Sequence, residues 1–362
     1  MRKPAAWTSC GPMCTVVRLS ATVNRIISRL VAVFFTVSGF AGAAAGDDWE
    51  TCIKENGDVA ITACTNAITS RKFQGHDLAV AYVNRCVGLS INRKYEDAIK
   101  DCGQAIEIDK HYAVAFYDRG NIYTYIHEYD RALNDYDEAI RLNPSHANAL
   151  NNRCYVYFVK KNYDRAIQDC GLAIQADSKK APYFVARGSA YVARGNAGDY
   201  DHAIEDYDDA TKLDPSNAHA FLGLGRAHLE KGDYDRAGEE LDKAIGLQPE
   251  NATAWNNRCW VHAVIGQLQQ ALSACNEALR LRPNDPSSLD TRGFTYLKMG
   301  DLDNAIADSN AALLIDPNKA SSLYARGRAR LLKGDNEGNA DISAAKAIKS
   351  SIADDFRRFG LK

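Results

Sequence analysis

The chain has 362 residues, of which 46% are hydrophobic and 25% are charged, and its formal net charge is −2. A charge this close to zero disfavours nucleic acid as a partner, because proteins that bind the phosphate backbone usually carry a basic surface. A chain of this length would ordinarily form two or three domains. An internal repeat changes that expectation, because repeat proteins grow by adding units and not by enlarging one core.

Residues 1–45 differ in charge from the rest of the chain. They hold five basic residues and no acidic ones, and they end in an apolar run from Leu30 to Ala45. A basic lead, a short apolar run and small residues at Ala43 and Ala45 are typical of a secretory signal peptide. We therefore expect cleavage after Ala45, with an uncleaved anchor as the alternative, and an exported protein that is periplasmic or secreted. The sequence does not decide whether translation starts at Met1 or at Met13.

The remaining chain carries 39 basic and 46 acidic residues, a net charge of −7. Residues 46–78 contain the second helix of a helical hairpin and a first helix about one turn too short, as expected of a degenerate repeat that caps the array. From 79 to 350 the chain repeats with a period of 34 residues. The turns between units are marked by Pro144, Pro215, Pro249, Pro283 and Pro317. Each Pro is expected to end the second helix of its unit.

Each unit is predicted to contain two helices, because apolar residues recur at i, i+3, i+4 and i+7 in each half. One unit, 181–217, has three extra residues around Gly195–Gly198 in its internal turn, a neutral insertion or, alternatively, a functional bulge. Residues 351–362 are predicted to form a polar helix that caps the C-terminal end. The eight units begin at Ala79, Ala113, Ala147, Ala181, Ala218, Ala252, Pro286 and Ala320.

With the first residue of a unit as position 1, the same residue types return at fixed places. Position 4 holds a large side chain, position 8 holds Gly or Cys, and positions 20 and 27 hold Ala in seven units. This pattern resembles the tetratricopeptide repeat, a family of 34-residue helix-turn-helix modules. The resemblance covers residues 79–350 and implies an all-α fold, a right-handed solenoid. It says little about function, because a fold does not specify one. The exported layout resembles periplasmic repeat proteins of Gram-negative bacteria.

Eight cysteines lie outside the signal segment, and their spacing groups them in pairs. Positions 8 and 24 of a hairpin are about equally far from its turn, so antiparallel helices bring them to the same height. A disulfide needs Cα atoms about 4.4–6.8 Å apart, and an exported chain meets an oxidising environment. Four disulfides are therefore predicted, with free buried cysteines as the alternative. The pairs are Cys86 with Cys102, Cys154 with Cys170, Cys259 with Cys275 and, across a shorter turn, Cys52 with Cys64.

Charged residues also recur. Position 7 is Arg in seven of the eight units and position 23 is acidic in six. Repetition at fixed places in a hairpin favours structural ion pairs that set the register of the stack. A ladder of arginines for an anionic ligand is the alternative. The arginines are Arg85, Arg119, Arg153, Arg187, Arg258, Arg292 and Arg326.

In the tetratricopeptide family the first helices line the inner groove, so their outward positions are the candidate partner-binding surface. Asn side chains there both donate and accept hydrogen bonds, which suits an extended peptide backbone, and aromatic side chains add contact area. In related repeats the Asn at position 6 holds peptide ligands, which corresponds to Asn84, Asn152 and Asn257. An ordinary polar surface is the alternative. The candidates are Asn84, Tyr117, Asn121, Asn151, Asn152, Tyr155, Arg226, Asn256, Asn257, Trp260, Phe294 and Lys298.

No catalytic residues, cofactor or metal are expected. The chain has no nucleophile elbow, phosphate-binding loop or C-x-x-C motif, and its His and Cys residues do not fall at zinc-binding spacings. We predict a non-catalytic scaffold or adaptor that binds a protein or peptide in its groove, in the bacterial periplasm or cell envelope. The alternative is a binding subunit or regulator of a glycan- or protease-associated envelope enzyme. The mature chain should lack a membrane span, and the sequence identifies neither the partner nor the oligomeric state.

Overall fold

The computed structural model describes residues 44–361, and within that range it contains nineteen α-helices and no strands. The predicted all-α fold is confirmed. Nearly all of the predicted signal peptide lies outside the described residues, so that assignment stays a prediction. None of the nineteen helices combines the length and the apolar character that a membrane-spanning helix requires.

The described chain divides into two compact units, and the first comprises residues 44–190. Its helices pack in consecutive antiparallel pairs, each pair forming one hairpin. The helices are α1 (Ala44–Lys54), α2 (Gly57–Thr69), α3 (Gly75–Ile91), α4 (Tyr95–Ile108), α5 (Ala113–Tyr125), α6 (Tyr129–Leu142), α7 (Ala147–Val159), α8 (Tyr163–Ala176) and the larger part of α9 (Ala181–Arg194).

The second unit comprises residues 191–361. It contains the end of α9 and repeats the hairpin arrangement, with one further short helix at its end. The helices are α10 (Asp199–Leu213), α11 (Ala218–Lys231), α12 (Tyr234–Leu247), α13 (Ala252–Val264), α14 (Leu268–Leu281), α15 (Pro286–Met299), α16 (Leu302–Ile315), α17 (Ala320–Leu332), α18 (Gly338–Ile348) and α19 (Ile352–Arg358).

The helices begin and end where local chemistry stops them. The side chain of Asn251 accepts hydrogen bonds from the backbone N–H groups of Thr253 and Ala254, 3.1 and 3.2 Å away, and so caps the start of α13. Asp285 caps α15 in the same way, and Pro286 follows as its first residue. Gly300 ends α15 in the left-handed conformation at φ +78°, which glycine adopts without a steric penalty.

Alanine lies at the closest contacts between helices. The seven alanines at position 20 are fully buried, and those at position 27 are at most 1% exposed. A methyl group is small enough for two helix backbones to approach, which explains why these positions repeat. The position-20 set is Ala98, Ala132, Ala166, Ala203, Ala237, Ala271 and Ala305.

The eight cysteines of the described range meet in the four predicted pairs. The Cα atoms are 5.6 Å apart in Cys86 and Cys102, 5.5 Å in Cys154 and Cys170, 5.2 Å in Cys259 and Cys275, and 4.7 Å in Cys52 and Cys64. All four separations suit a disulfide. Each pair joins the two helices of a single hairpin.

Five of the arginines at position 7 form forked ion pairs with an acidic residue at position 22 or 23 of the same hairpin. Arg119, for example, donates from Nε and Nη2 to the two carboxylate oxygens of Asp135, both at 2.8 Å. Equivalent forked pairs join Arg85 to Asp101, Arg153 to Asp169 and Arg292 to Asp308. Arg326 forms the same fork with Asp341, which lies at position 22 of its unit. For these five arginines, structural pairing is confirmed.

Five of the arginines at position 7 also contact the preceding hairpin, and in two of them the contact is an ion pair. Arg153 Nη1 donates to Asp137 at 2.6 Å. Arg258 has no acidic residue at position 23, and its fork pairs instead with Asp242 of the preceding hairpin, at 2.7 and 2.8 Å. The arginines therefore link successive hairpins as well as the helices within one.

The three-residue insertion forms an ordered turn between α9 and α10. Gly195 and Gly198 have φ values of +67° and +84°. The carboxylate of Asp199, 2% exposed, accepts from Arg194 at 2.6 and 2.9 Å and from the backbone N–H of Asn196 at 2.8 Å. These bonds make the insertion part of the folded unit.

Candidate partner-binding surfaces

The first helices of the N-terminal unit carry a polar surface that we call the N-terminal face. It is formed by Asn84 on α3, Tyr117, Asp118 and Asn121 on α5, and Asn151, Asn152 and Tyr155 on α7. Positions 5, 6 and 9 of a helix lie on one side of it, because their angular spacing keeps them within about one third of a turn. The repeat therefore gives each first helix one such triplet.

A hydrogen-bonded network connects α5, α6 and α7 at this face. Asn121 Oδ1 accepts from Asn152 Nδ2 at 2.8 Å and from the hydroxyl of Tyr136 at 2.9 Å. The Tyr136 hydroxyl is also 2.9 Å from Thr124 Oγ1, and burial raises the pKa of Tyr136. Asn152 further donates towards the Tyr117 hydroxyl at 3.4 Å. Asn121 and Asn152 are thus held in place by internal bonds.

Asp118 lies beside this network without a cation. It forms no ion pair with any residue from 44 to 361, and it keeps part of its surface exposed. Burial raises the pKa of Asp118 to about 7, an effect that hydrogen bonding to Asn121 only partly offsets. A carboxylate of this kind gains most from a positively charged group brought by a partner.

Two further amides of the N-terminal face keep hydrogen-bonding capacity. Asn84 is partly exposed and makes no side-chain hydrogen bond within the described range. Asn151 donates to Asn152 at 3.4 Å, but its Oδ1 atom is buried and has no hydrogen-bond partner among the described residues. Tyr155, which is partly exposed, packs beside them against the core of the unit. The face thus combines polar groups that are satisfied internally with groups that are not.

The C-terminal unit has an equivalent surface, the C-terminal face, formed by Asn256, Asn257 and Trp260 on α13, Phe294 and Lys298 on α15, and Tyr324 on α17. Asn256 Oδ1 is buried without a hydrogen-bond partner in the described chain, like Asn151 Oδ1 at the same position of its unit. Phe294 is 3% exposed. It therefore belongs to the core of this unit and not to its exposed surface.

Phe294 is buried because the end of the chain covers it. Helix α19 and the residues after it lie on the C-terminal face, where Phe356 and Phe359 contact the aromatic rings of Trp260, Phe294 and Tyr324. The sequence predicts a polar cap for residues 351–362. In the structure, however, Ile352 and Phe356 are buried, at 3% and 5% exposure, so the helix is amphipathic.

Neither face contains a group of three or more His, Cys, Asp or Glu residues arranged to hold a metal ion, and the same holds throughout residues 44–361. The faces offer amides, aromatic rings, one unpaired carboxylate and one lysine. These groups bind and orient a ligand by hydrogen bonds, stacking and charge.

Tetratricopeptide repeat models match residues 113–146, 192–252, 232–286 and 286–319. The matches to 113–146 and 286–319 each cover one hairpin, α5 with α6 and α15 with α16. The chain belongs to the tetratricopeptide repeat family. Among curated proteins, none matches it.

Solved tetratricopeptide structures have the same fold at low sequence identity. A tetratricopeptide repeat protein from Parabacteroides merdae ATCC 43184 is 16% identical, with a TM-score of 0.55, over 69% of this chain and 98% of its own. The Cut9–Hcn1 assembly of the APC/C is 17% identical, with a TM-score of 0.58, over 88% of this chain and 67% of its own. PilF from Pseudomonas aeruginosa is 20% identical, with a TM-score of 0.52, over 58% and 94%. At these identities the likeness shows the fold alone.

The sequence predictions omitted four residues that the structure brings to the two faces. Tyr324 occupies position 5 of its unit, the place of Asn151 and Asn256 in theirs. Asp118 occupies position 6 of its unit, the place of Asn84, Asn152 and Asn257, so the same positional rule would have found it. Phe356 and Phe359 were missed because the end of the chain was interpreted as polar. The spacing of Ile352, Phe356 and Phe359 at i, i+4 and i+7 was the available signal.

Proposed function

We propose that this tetratricopeptide protein is a non-catalytic scaffold that binds a peptide or protein segment on the faces of its first helices. The observation that carries the proposal is the N-terminal face, where an unpaired carboxylate lies among ordered amides. Asp118 has no cation within the described chain, and Asn84 has no internal hydrogen bond. Groups of this kind lower their free energy when a partner supplies the missing charge or hydrogen bond.

The chemistry of the face favours an extended segment with a basic side chain. Amide groups such as Asn84 can accept from a backbone N–H and donate to a backbone C=O. The carboxylate of Asp118 would pair with a Lys or Arg side chain of the segment. The net charge of −7 on residues 46–362 also attracts a basic partner over longer distances.

We further propose that the protein acts in the bacterial periplasm or cell envelope. Two features support this location. Residues 1–45 have the charge and hydropathy pattern of a signal peptide. The four cysteine pairs, each with Cα atoms at disulfide distance, suit a compartment in which thiols are oxidised.

A random peptide library displayed on phage tests the binding proposal directly. The protein should select peptides that carry Lys or Arg, and their affinities can be measured by fluorescence anisotropy. The substitution Asp118→Asn should weaken binding about tenfold, the effect of one lost charge-assisted hydrogen bond, and Asn84→Ala should weaken it about fivefold, the effect of one lost neutral hydrogen bond.

The matched control is Asn134→Ala, because Asn134 is an exposed asparagine on the second helix α6 of the same unit. It should leave the affinity unchanged. Failure to select any peptide would remove the proposed function. Selection of peptides whose affinity is insensitive to Asp118→Asn and Asn84→Ala would place the binding surface elsewhere.

A further inference from the structure

The last residues of the described chain cover the C-terminal face. Residues 352–361, which we call the C-terminal segment, comprise α19 and the three residues after it. The segment crosses three successive first helices, α13, α15 and α17. It contacts one aromatic side chain from each: Trp260, Phe294 and Tyr324.

The contacts are mostly aromatic and follow a regular spacing. The ring of Phe356 is 4.6 Å from that of Tyr324 and 5.4 Å, edge-on, from that of Phe294. The ring of Phe359 is 4.9 Å, edge-on, from that of Trp260. Residues three apart share one side of a helical segment. The face therefore accepts two aromatic side chains at i and i+3.

A lysine adds a polar contact with the backbone of the segment. Lys298 Nζ donates to the carbonyl oxygen of Phe359 at 2.9 Å and to that of Ala263, near the end of α13, at 2.7 Å. Burial lowers the pKa of Lys298. Because the contact is to a backbone carbonyl, it does not depend on the identity of the side chain at that place.

The segment has the properties of a bound peptide. Its helix has seven residues, and isolated helices this short are unstable in water. Gly360, with φ +86°, follows the end of the helix, and the N–H of Leu361 bonds to the carbonyl of Phe356 at 3.0 Å. The charged side, which includes Arg357 and Arg358, faces solvent. Packing of Ile352, Phe356 and Phe359 on the face must therefore supply most of its order.

We infer that the C-terminal face is a binding surface for a helical segment with two aromatic side chains three residues apart, and that residues 352–361 are its resident ligand. A partner segment with the same aromatic spacing binds by displacing the resident one. This inference rests on the proposed function, since it makes the second face a peptide-binding surface as well. The inference goes beyond the proposed function because it names the ligand of this face and the segment that competes with it.

The C-terminal segment is covalently joined to the face that it covers, and this connection determines how well a free peptide can compete with it. A segment joined by a short linker acts at an effective concentration of about 1 mM. A free copy of the same segment therefore binds the wild-type chain poorly. It binds much better once the resident side chains are removed.

The probe is a fluorescein-labelled peptide with the sequence of residues 350–361, SSIADDFRRFGL. The full chain carrying Phe356→Ala and Phe359→Ala should bind this peptide at least tenfold more tightly than the wild type does, by fluorescence anisotropy. The same peptide with both Phe residues replaced by Ala should not bind. Adding Lys298→Met to the double variant should weaken the binding again.

The matched control is Arg357→Ala, which changes one exposed side chain of the same helix. It should bind the probe as weakly as the wild type. Equal probe affinity for the double Phe variant and the wild type would overturn the inference. So would equal affinity for the probe and its alanine counterpart.

Because Phe356 belongs to the core of this unit, a second measurement avoids substituting it. A protease site inserted between Lys349 and Ser351 allows the segment to be cut in the otherwise native chain. After cleavage the segment should dissociate on dilution while the remaining helices keep their circular dichroism. Retention of the cut segment through gel filtration at nanomolar concentration, or unfolding of the unit, would show a structural cap and overturn the inference. Peptides selected on the N-terminal face would still bind in that case.

Discussion

At the scale of single residues, the contact between positions 8 and 24 shows how one place in the hairpin is filled in two ways. Three hairpins put a cysteine at both positions. Others put glycine at position 8 and a large side chain opposite. A Cβ atom on Gly120 would lie 2.8 Å from a ring carbon of Tyr136, and one on Gly225 would lie 2.6 Å from Leu241. Glycine is required there because its partner fills the space.

The substitution Gly120→Ala tests this close contact. The added methyl group would overlap the buried ring of Tyr136, and overpacking of this kind costs about 1–3 kcal/mol. Tm should fall in a calorimetric scan. Gly246→Ala is the control, because nothing lies within 4 Å of its Cβ position in α12, and it should stabilise the helix by up to about 1 kcal/mol. If Gly120→Ala and Gly246→Ala both raised Tm, or both lowered it, the overlap with Tyr136 would not determine the effect of the added methyl group.

Asp118 should make stability depend on pH. Its pKa is raised to about 7 by burial, whereas an unfolded Asp titrates near 3.9. The folded state therefore holds this proton more tightly, so the contribution of Asp118 to stability falls as the pH rises from about 4 to about 7. Asp118→Asn should raise the free energy of unfolding at pH 8 by about 1–2 kcal/mol after allowance for partial exposure. Tm should therefore rise at pH 8 and change little at pH 4.

Asp135→Asn supplies the comparison for that measurement. Asp135 is buried and pairs with Arg119, so its loss should lower Tm at pH 8. If Asp118→Asn also lowered Tm at pH 8, the folded protein would stabilise the ionised carboxylate of Asp118, and its pKa would not be raised.

At the scale of helices, the arginines at position 7 differ in the burial of their partners. Arg153 pairs with Asp169, which is 4% exposed, and also reaches Asp137 on the preceding hairpin. Arg258 pairs only with Asp242, whose side chain is 57% exposed. The same residue type at the same position should therefore contribute very differently to stability.

Replacing each arginine by methionine keeps much of its bulk and removes its charge. Arg153→Met leaves Asp169 buried without a cation, which should cost about 3 kcal/mol. Arg258→Met leaves a hydrated carboxylate and should cost less than about 1 kcal/mol. Urea denaturation followed by circular dichroism measures both. Similar losses in the two variants would mean that burial of the partner does not govern the energy.

The helices of the repeats were largely predictable from the sequence. First helices begin at Ala113, Ala147, Ala218, Ala252 and Pro286, the first residues of their predicted units. In a repeat protein the sequence signals for a helix start, its cap and the preceding turn recur in every unit, so each unit supports the prediction made for the others. The first helix α3 is the exception, because it begins at Gly75, before the predicted unit.

The surface of the C-terminal unit was less predictable. Periodicity predicts that Phe294 and Lys298 on α15 lie on the face that also contains Trp260 on α13, and this prediction is correct. It does not show that Phe356 and Phe359, about sixty residues further along the chain, cover that side. Contacts of a terminal segment follow no repeat, so they have no counterpart elsewhere in the sequence from which to infer them.

At the scale of the whole molecule, the pairing of the cysteines is the main feature that bears on stability. Eight cysteines lie in the described range, and the structure leaves none of them unpaired there. Three bridges would close spans with a sequence separation of 16 residues. In the chain-entropy model, each such bridge contributes about 3 kcal/mol.

Oxidation can be measured on protein purified from its native compartment. Alkylation without reduction should leave these eight cysteines unmodified in the mass spectrum, and alkylation after reduction should modify all eight. Reduction should also lower Tm. Eight alkylated thiols in the unreduced native protein would rule out the disulfides and weaken the case for export.

The placement of the cysteine pairs has a mechanical consequence. Each of the four pairs in residues 44–361 joins the two helices of one hairpin, and none of the four joins one hairpin to the next. Disulfides would then stiffen each hairpin, whereas the contacts between successive hairpins would stay non-covalent and more elastic. Under tension, such a chain should lengthen first where successive hairpins separate, while each disulfide-bonded hairpin stays intact.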